Sequence, residues 1–163
     1  MLAVLRVRGR TGIRPDAEKT AALMRLHRIN HLVLVPEDDV HRGMLQVVKD
    51  YVTWGEIDRE TLVMLLKYRA QLKGHRPLDR EALSSLGYSS YEELADAILA
   101  GKKLTDLEPL VPVFRLNPPV KGYEYIRKPV TQGGTLGYRG KAINQLIKRM
   151  LISGVDLNGK GEN

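Results

Sequence analysis

Apolar residues alternate with polar ones at the start of the chain, in the sequence LAVLRVR. Over residues 2–8 the alternation directs Ala3, Leu5 and Val7 towards a core and the arginines towards the opposite face. This pattern is typical of a strand with one buried face.

A helix is predicted next, from an N-cap at Asp16 to about Arg28. Its apolar positions at helical spacing are Ala22, Leu23, Leu26 and Ile29. The short apolar run His31–Val35, stopped by Pro36, predicts a second strand.

A second helix is predicted from about Val40, with Asp39 as its cap. Its apolar stripe comprises Val40, Met44, Val47, Val48 and Tyr51. Residues 52–57 then predict a third strand. The order β-α-β-α-β indicates an α+β fold, with a small antiparallel sheet and two helices on one face.

Residues 59–110 are interpreted as a helical insertion. Asp58 is a predicted N-cap for a helix that ends at Gly74 and carries Leu62, Leu65, Leu66 and Leu72. A short helix follows near 80–86. Ser90 and Glu93 form a capping box before Leu94, Ala97 and Ile98, with a stop at Gly101.

From residue 111 prolines and glycines interrupt the chain. Only 113–116 is predicted as a strand and only 141–151 as a helix, while 153–163 is expected to be a frayed polar tail. The predicted division is therefore a core at 1–58, the insertion at 59–110, and an extended Gly/Pro-rich segment at 111–163.

Charge changes this picture because it is concentrated in the last segment. The net charge is +7, from 26 lysines and arginines against 19 acids. By segment, residues 1–58 carry +1, 59–110 carry zero and 111–163 carry +6. A basic segment of this kind favours an anionic partner, most commonly nucleic acid.

Composition also excludes several classes. The chain has no cysteine, so disulfides and thiolate zinc sites are excluded. Residues 1–10 are too short and Arg-rich for the apolar region of a signal peptide. No apolar run approaches the roughly 18 residues that span a bilayer. We therefore expect neither a membrane association nor a cofactor or metal.

Two basic regions are candidates for binding RNA. In 114–149 the bases are interleaved with aromatic rings and accompanied by a single acid, Glu124. Bases neutralise phosphates, and aromatic rings stack on unpaired RNA bases. The N-terminal arginines form the second region, although charge on a strand also protects an exposed edge. The predicted RNA-binding residues are Arg6, Arg8, Arg10, Arg14, Arg28, Arg115, Lys121, Tyr123, Tyr125, Arg127, Lys128, Gly133, Gly134, Tyr138, Arg139, Lys141, Lys148 and Arg149.

Other constellations are weaker. The tract from Gly134 to Lys141 has five residues between its outer glycines, where a phosphate-binding loop needs four, and Ala142 follows the lysine. His27 and His31 lie at helical spacing without a third ligand nearby. Trp54 is either a core residue or an anchor for a partner. No catalytic set emerges.

Several segments resemble one known family. They are LRVRG (5–9), RLHRINHLVLVPED (25–38), RGM (42–44), TWG (53–55), FRLNPP (114–119), GGTLGYRG (133–140) and INQLIKRM (143–150). Together they resemble the large-subunit ribosomal protein family called L-thirty in bacteria and L-seven in eukaryotes, in its longer archaeal form.

This resemblance implies a ferredoxin-like core and a structural, non-enzymatic role in the cytoplasmic ribosome. The implied partners are large-subunit RNA, the nearby 5S RNA and other large-subunit proteins, with no small-molecule substrate. Two alternatives come from other classes: an assembly or RNA-processing factor that binds RNA transiently, and a phosphoryl-transfer enzyme, against which the imperfect glycine motif argues.

Overall fold

The computed structural model describes residues 1–151 of the chain, so the predicted polar tail at 153–163 lies outside the described residues. The strands are β1 (Leu2–Arg6), β2 (His31–Val35), β3 (Val52–Glu56), β4 (Gln71–Leu72), β5 (Arg76–Pro77), β6 (Phe114–Arg115), β7 (Tyr125–Pro129) and β8 (Gly134–Tyr138). The helices are α1 (Pro15–Leu23), α2 (Asp39–Val48), α3 (Arg59–Arg69), α4 (Arg80–Ser85), α5 (Tyr91–Leu99) and α6 (Ile143–Leu151).

Six strands form the main sheet, in the order β6-β2-β1-β3-β8-β7, while β4 and β5 form a separate small hairpin. The strand β1 pairs antiparallel with β2 and β3, and β2 pairs antiparallel with β6. The strand β8 is parallel to both β3 and β7. The predicted α+β class, with its mostly antiparallel sheet flanked by helices, is confirmed.

Both faces of the central strands are covered by helices. Leu2 and Val4 pack with buried residues of α1 and α2. Ala3 and Leu5, the alternate residues of β1, pack with α3, α5 and α6 on the other face. The expectation that β1 has only one buried face is therefore wrong: all five of its residues are buried. A strand between two helical layers buries both sets of alternating side chains.

The two helices of the first layer are present, but their predicted faces are partly wrong. Leu23 and Val40 are exposed, at 66% and 71%. In their place Ala17 and Ala21 are buried on α1, and Leu45 is buried on α2. The cap of α2 is Asp38 rather than Asp39, and α1 begins at Pro15 and ends at Leu23. Helix periodicity gave the spacing in both cases, but the sheet selects which side is buried.

The N-caps predicted in the second layer are confirmed, but the Glu93 carboxylate accepts from the Ser89 backbone N–H at 3.0 Å and not from that of Ser90, as the predicted capping box requires. The Asp58 carboxylate accepts from the Thr61 backbone N–H at 2.7 Å, and the Ser90 hydroxyl accepts from the Glu93 N–H at 3.1 Å. Leu62, Leu65 and Leu66 are buried, as predicted. The helix α3 nevertheless ends before Gly74, at Arg69, and Leu72 belongs to the hairpin.

The glycine-rich segment contains two strands that were not predicted. The strand β8 extends the sheet beyond β3, and β7 forms its edge. Glycine is required where this addition meets the sheet: a Cβ on Gly55 of β3 would lie 1.8 Å from the Gly140 carbonyl oxygen. The polypeptide therefore passes close to β3 before entering α6, whose Ile143 and Ile147 are fully buried.

One hydrophobic cluster contains residues from all three predicted segments. It includes Leu5 from 1–58, Leu65 and Ile98 from 59–110, and Ile147 from 111–163. The division into three units remains a prediction about folding units. The packing places the basic segment directly on the core.

Candidate nucleic-acid interface

Three loops meet at one end of the sheet. Because β1 is antiparallel to β2 and β3, its C-terminal end lies beside their N-terminal ends. The loop at 7–14 therefore lies near the loop at 24–30, and β6 brings the loop at 116–124 to the same place. We call this part of the molecule, with the adjoining edge strand β7, the basic end.

Asn30 connects the three loops. Its backbone N–H donates to the Arg6 carbonyl at 2.8 Å, and its own carbonyl accepts from the Leu116 N–H at 3.1 Å. Its side-chain oxygen accepts from the Tyr123 hydroxyl at 2.6 Å. Asn30 is buried and has a φ of +66°, a conformation that asparagine adopts more readily than most residues. Asn30 is not among the predicted RNA-binding residues, although an asparagine before a strand is a usable turn signal.

Arg6 does not support the predicted RNA contact. It is 2% exposed, with its Nε donating to the Arg8 carbonyl at 2.8 Å and its Nη1 to the Leu26 carbonyl at 2.6 Å. Burial, followed by repulsion from Arg10, lowers its pKa from the usual value. The guanidinium therefore joins the loops at 7–14 and 24–30 from inside the protein.

The neighbouring arginines are held in place while remaining accessible. Arg10 donates from Nε to the His27 carbonyl at 3.1 Å, and Arg14 from Nη2 to the Val47 carbonyl at 3.1 Å. Arg8 lies over the Tyr51 ring, 5.1 Å from its centroid. Arg14 also pairs with the Asp16 carboxylate at 3.9 Å, whereas Arg8 and Arg10 have no such partner among the described residues, so their positive charge remains available.

His31, at the start of β2, has a pKa that is affected by burial and by nearby positive charges. Burial lowers the pKa of His31, and the positive charges of Arg115 and Arg28 lower it further. Arg28 is exposed, and exposed Arg115 contacts the neutral side chain of Gln71 at 2.8 Å. Two cations predicted to bind RNA are therefore near the start of β2.

Tyr123 of the third loop and Tyr125 at the start of β7 differ in accessibility. Tyr123 is half-buried against the core, and burial raises its pKa well above the usual range. Tyr125 on β7 is 70% exposed, with the Lys128 ammonium 5.1 Å from its ring centroid. Only Tyr125 presents a ring that a nucleotide base could reach readily. Tyr123 instead positions the loop.

Further predicted residues at this end divide in the same way. Lys121, Arg127 and Lys128 are exposed. Arg149 is half-buried and donates to the Val120 carbonyl at 3.2 Å, which holds the loop against α6. Arg139 is turned inward.

Inward contacts account for Arg139 and for the paired glycines. Arg139 donates to the Thr53 hydroxyl at 2.9 Å and to the Thr135 carbonyl at 2.8 Å, and burial lowers its pKa. Gly134 is buried, and a Cβ there would lie 1.9 Å from the Lys128 carbonyl oxygen. Gly133 is exposed with a φ of +78° and ends the turn before β8. The tract predicted to follow RNA is thus partly a structural strand.

Two predicted residues, Tyr138 and Lys141, lie at the opposite end of the sheet, and a third, Lys148 in the last turns of α6, extends its ammonium towards that end. The Tyr138 hydroxyl donates to the Glu56 carboxylate. The Lys148 ammonium pairs with Glu60 at 3.6 Å, and exposed Lys141 lies in the turn before α6. We call this the acidic end, because it carries Glu37, Asp38, Asp39, Glu56, Asp58 and Glu60. The structure therefore separates residues that sequence analysis had grouped.

Alternative chemistries have no support in residues 1–151. The glycine-rich tract from Gly134 forms strand β8 rather than a phosphate-binding loop. Within the described chain no group of three or more potential metal ligands occurs, and no helix there is long and apolar enough to cross a membrane. Fold and surface together define a small α+β protein with a cationic end suited to an extended polyanion.

Comparisons with known proteins identify the family. Residues 2–52 match the family described as Ribosomal protein L30p/L7e. The chain is 60% identical over 165 residues to the large ribosomal subunit protein uL30 of Thermoplasma volcanium, with both chains covered completely. It is 49% identical to the Methanococcus vannielii protein of the same name, covering 91% of this chain and 98% of the relative. For Nanoarchaeum equitans the identity is 45%, with coverage of 93% and 99%.

The chain belongs to the L30p/L7e family of ribosomal proteins, as the resemblance indicated. Its role is therefore structural rather than enzymatic, and its location is the ribosome in the cytoplasm. The similar relatives are archaeal and are matched over nearly their full length, which agrees with the longer archaeal form of the family.

Proposed function

We propose that this protein is a structural constituent of the large ribosomal subunit and binds ribosomal RNA through its basic end. The observation that carries the proposal is the joining of three loops around Asn30, which gathers accessible cations on one surface. The acidic residues after β2 and β3 lie at the far end. A surface divided in this way accepts RNA in one orientation.

The proposed contacts with RNA are electrostatic, and some of the side chains that make them are oriented before RNA binds. Arg8, Arg10, Arg28, Lys121 and Arg127 have no carboxylate within ion-pair distance among the described residues, so their charges are available to phosphates. Carbonyl acceptors already hold Arg8 and Arg10, which reduces the conformational entropy lost on binding. Phosphate contacts of this type fix position more than they select sequence.

Tyr125 supplies a different contact. Its exposed ring lies on the edge strand beside Arg127 and Lys128, where an unpaired base could stack on it. Single-stranded loops of RNA offer such bases, whereas regular duplexes do not. We propose large-subunit RNA as the main partner and 5S RNA as a second, following the family resemblance.

The experiment is a salt titration of RNA binding with charge-matched variants. Arg28→Gln, Lys121→Gln and Arg127→Gln are combined in one protein, and Arg42→Gln, Arg59→Gln and Lys67→Gln in a control. Binding to large-subunit RNA fragments and to 5S RNA is measured between about 50 and 200 mM salt, a range over which phosphate contacts make the affinity fall steeply. The first variant should reduce the slope of log affinity against log salt by about 2–3. Equal slopes for the two variants would refute the placement of the interface.

A further inference from the structure

A groove at the acidic end combines aromatic rings with carboxylates. Its volume is about 520 Å³, and it runs between α2 and the ends of β1, β3 and β8. Its floor includes Leu2 and Trp54, and its rim includes Glu37, Glu56 and Tyr138. None of these residues belongs to the basic end.

The aromatic pair forms one wall. The ring centroids of Trp54 and Tyr138 are 6.4 Å apart, with the planes inclined at 50°. Trp54 is 8% exposed and lies beneath Tyr138, which is 53% exposed. The exposed ring presents a π face of the kind that attracts a cation.

The charge at the rim is negative and incompletely neutralised. Glu37 pairs with the Met1 amino group at 3.0 Å. Glu56 accepts a hydrogen bond from Tyr138, which raises the pKa of the tyrosine, but forms no ion pair within residues 1–151. The basic residue of the rim, Arg42, is already paired with Asp39 at 3.1 Å. The groove therefore has a carboxylate that lacks a cationic partner in the described chain.

We propose that this groove binds an arginine-bearing segment of a neighbouring protein in the large subunit. A guanidinium stacks on an aromatic face and bonds a carboxylate through two parallel N–H groups, which matches Tyr138 beside Glu56. The inference rests on the proposed membership in the large subunit. It concerns the end opposite the RNA-binding surface.

RNA is disfavoured as the occupant because Glu37 and Glu56 would face its phosphates. Like charges brought together at an interface suppress binding of the wrong partner. A second copy of the chain is also a poor fit, because a two-fold axis through the groove would bring the Glu56 carboxylates of the two copies together. A cationic protein segment can stack on the exposed Tyr138 ring and also pair with the Glu56 carboxylate.

The first test uses the purified protein and the fluorescence of Trp54, the single tryptophan of the chain. The probe is a blocked pentapeptide with two arginines among glycines, and the control probe replaces both arginines with neutral citrulline. The arginine peptide should change the fluorescence saturably and the citrulline peptide should not. Glu56→Gln should weaken binding about tenfold or more. The control Glu92→Gln, an exposed acid on α5, should bind like the unchanged protein.

The second test uses assembled large subunits. Because the chain has no cysteine, Gln46→Cys in the groove takes a single photo-crosslinker. An adduct to an arginine-bearing protein peptide, reduced when Glu56→Gln is added, is the expected result. An adduct to RNA, to another copy of this chain, or to a peptide without arginine overturns the proposal, as does no adduct at all. RNA binding by the basic end is measured on the same variants and should be unchanged, so failure here is distinguishable from failure of the proposed function.

Discussion

The Tyr123 hydroxyl donates to the side-chain oxygen of Asn30 at 2.6 Å, across 93 positions of sequence. Asn30 precedes β2 of the main sheet, and Tyr123 belongs to the basic segment that follows β6. This bond connects the loop at 116–124 to Asn30, whose backbone N–H also donates to the Arg6 carbonyl at the end of β1. The relative positions of the cations proposed to bind RNA therefore depend on it.

Removing this hydroxyl should loosen the basic end. Tyr123→Phe leaves the Asn30 oxygen without its donor, and we expect the free energy of unfolding to fall by about 1–2 kcal/mol. Urea denaturation measures the change. Tyr125→Phe is the control, because its ring is exposed and should lose little stability. A Tyr123→Phe protein as stable as the control would contradict the structural role of the bond.

Arg6 and Arg10 should separate stability from RNA affinity. Arg6→Gln deprives two carbonyls of a buried donor, so unfolding should become easier by about 2–4 kcal/mol. Arg10→Gln removes an exposed charge and should weaken RNA binding while changing stability by less than about 0.5 kcal/mol. Denaturation measures the free energy of unfolding of both variants, and RNA titration measures their affinity. If Arg10→Gln proved the more destabilising change, the assignment of roles would be wrong.

Two glycines should respond to alanine in opposite directions. Gly55→Ala places a Cβ against the Gly140 carbonyl, and we expect a loss of about 3 kcal/mol or more, because backbone must move. Gly43 lies within α2, and a Cβ added there would meet no neighbouring group within 4 Å. Gly43→Ala should therefore raise the free energy of unfolding by about 0.5–1 kcal/mol. Thermal melting compares the two variants directly. A harmless Gly55→Ala would show that α6 does not approach β3 as described.

His31 should make the fold sensitive to mild acid. Its folded pKa is lowered, chiefly by burial, so the unfolded chain binds a proton first as the pH falls. The contribution of neutral His31 to the free energy of unfolding is therefore fully present above about pH 6.5, and it is lost as the pH falls towards the lowered pKa of the folded state. Denaturation of the unchanged protein and of His31→Gln between about pH 5 and 7.5 should show a smaller pH dependence for the variant. His75→Gln, which alters an exposed histidine, should retain the full dependence.

Features determined by nearby residues were predictable from sequence in part, since the caps of α1 and α2 were predicted one or two residues too late. The caps at Asp58 and Ser90 depend on atoms three residues away, and both were predicted correctly. Strand β8 was missed because its glycines have no intrinsic preference for strands. Its pairing with β3 connects Gly137 to Thr53, a partner far away in the sequence.

The candidate site shows the same limit. Composition identified the cationic residues, but it could not distinguish exposed Arg10 from buried Arg6 or inward-turned Arg139. That distinction depends on which carbonyls the fold brings within reach of each guanidinium. The charge on a sequence is visible at once, whereas its accessibility depends on tertiary contacts.

The separation of the basic and acidic ends has a kinetic consequence. Positive charge is concentrated at one end of the sheet, while the carboxylates at the other end are largely paired with cations, and this asymmetry gives the molecule an electric dipole roughly along its strands. In the field of an RNA this dipole experiences a torque, which turns the basic end forward before any contact forms. Productive encounters then become more frequent than the net charge of +7 alone would produce, and the advantage decreases as salt shortens the Debye length.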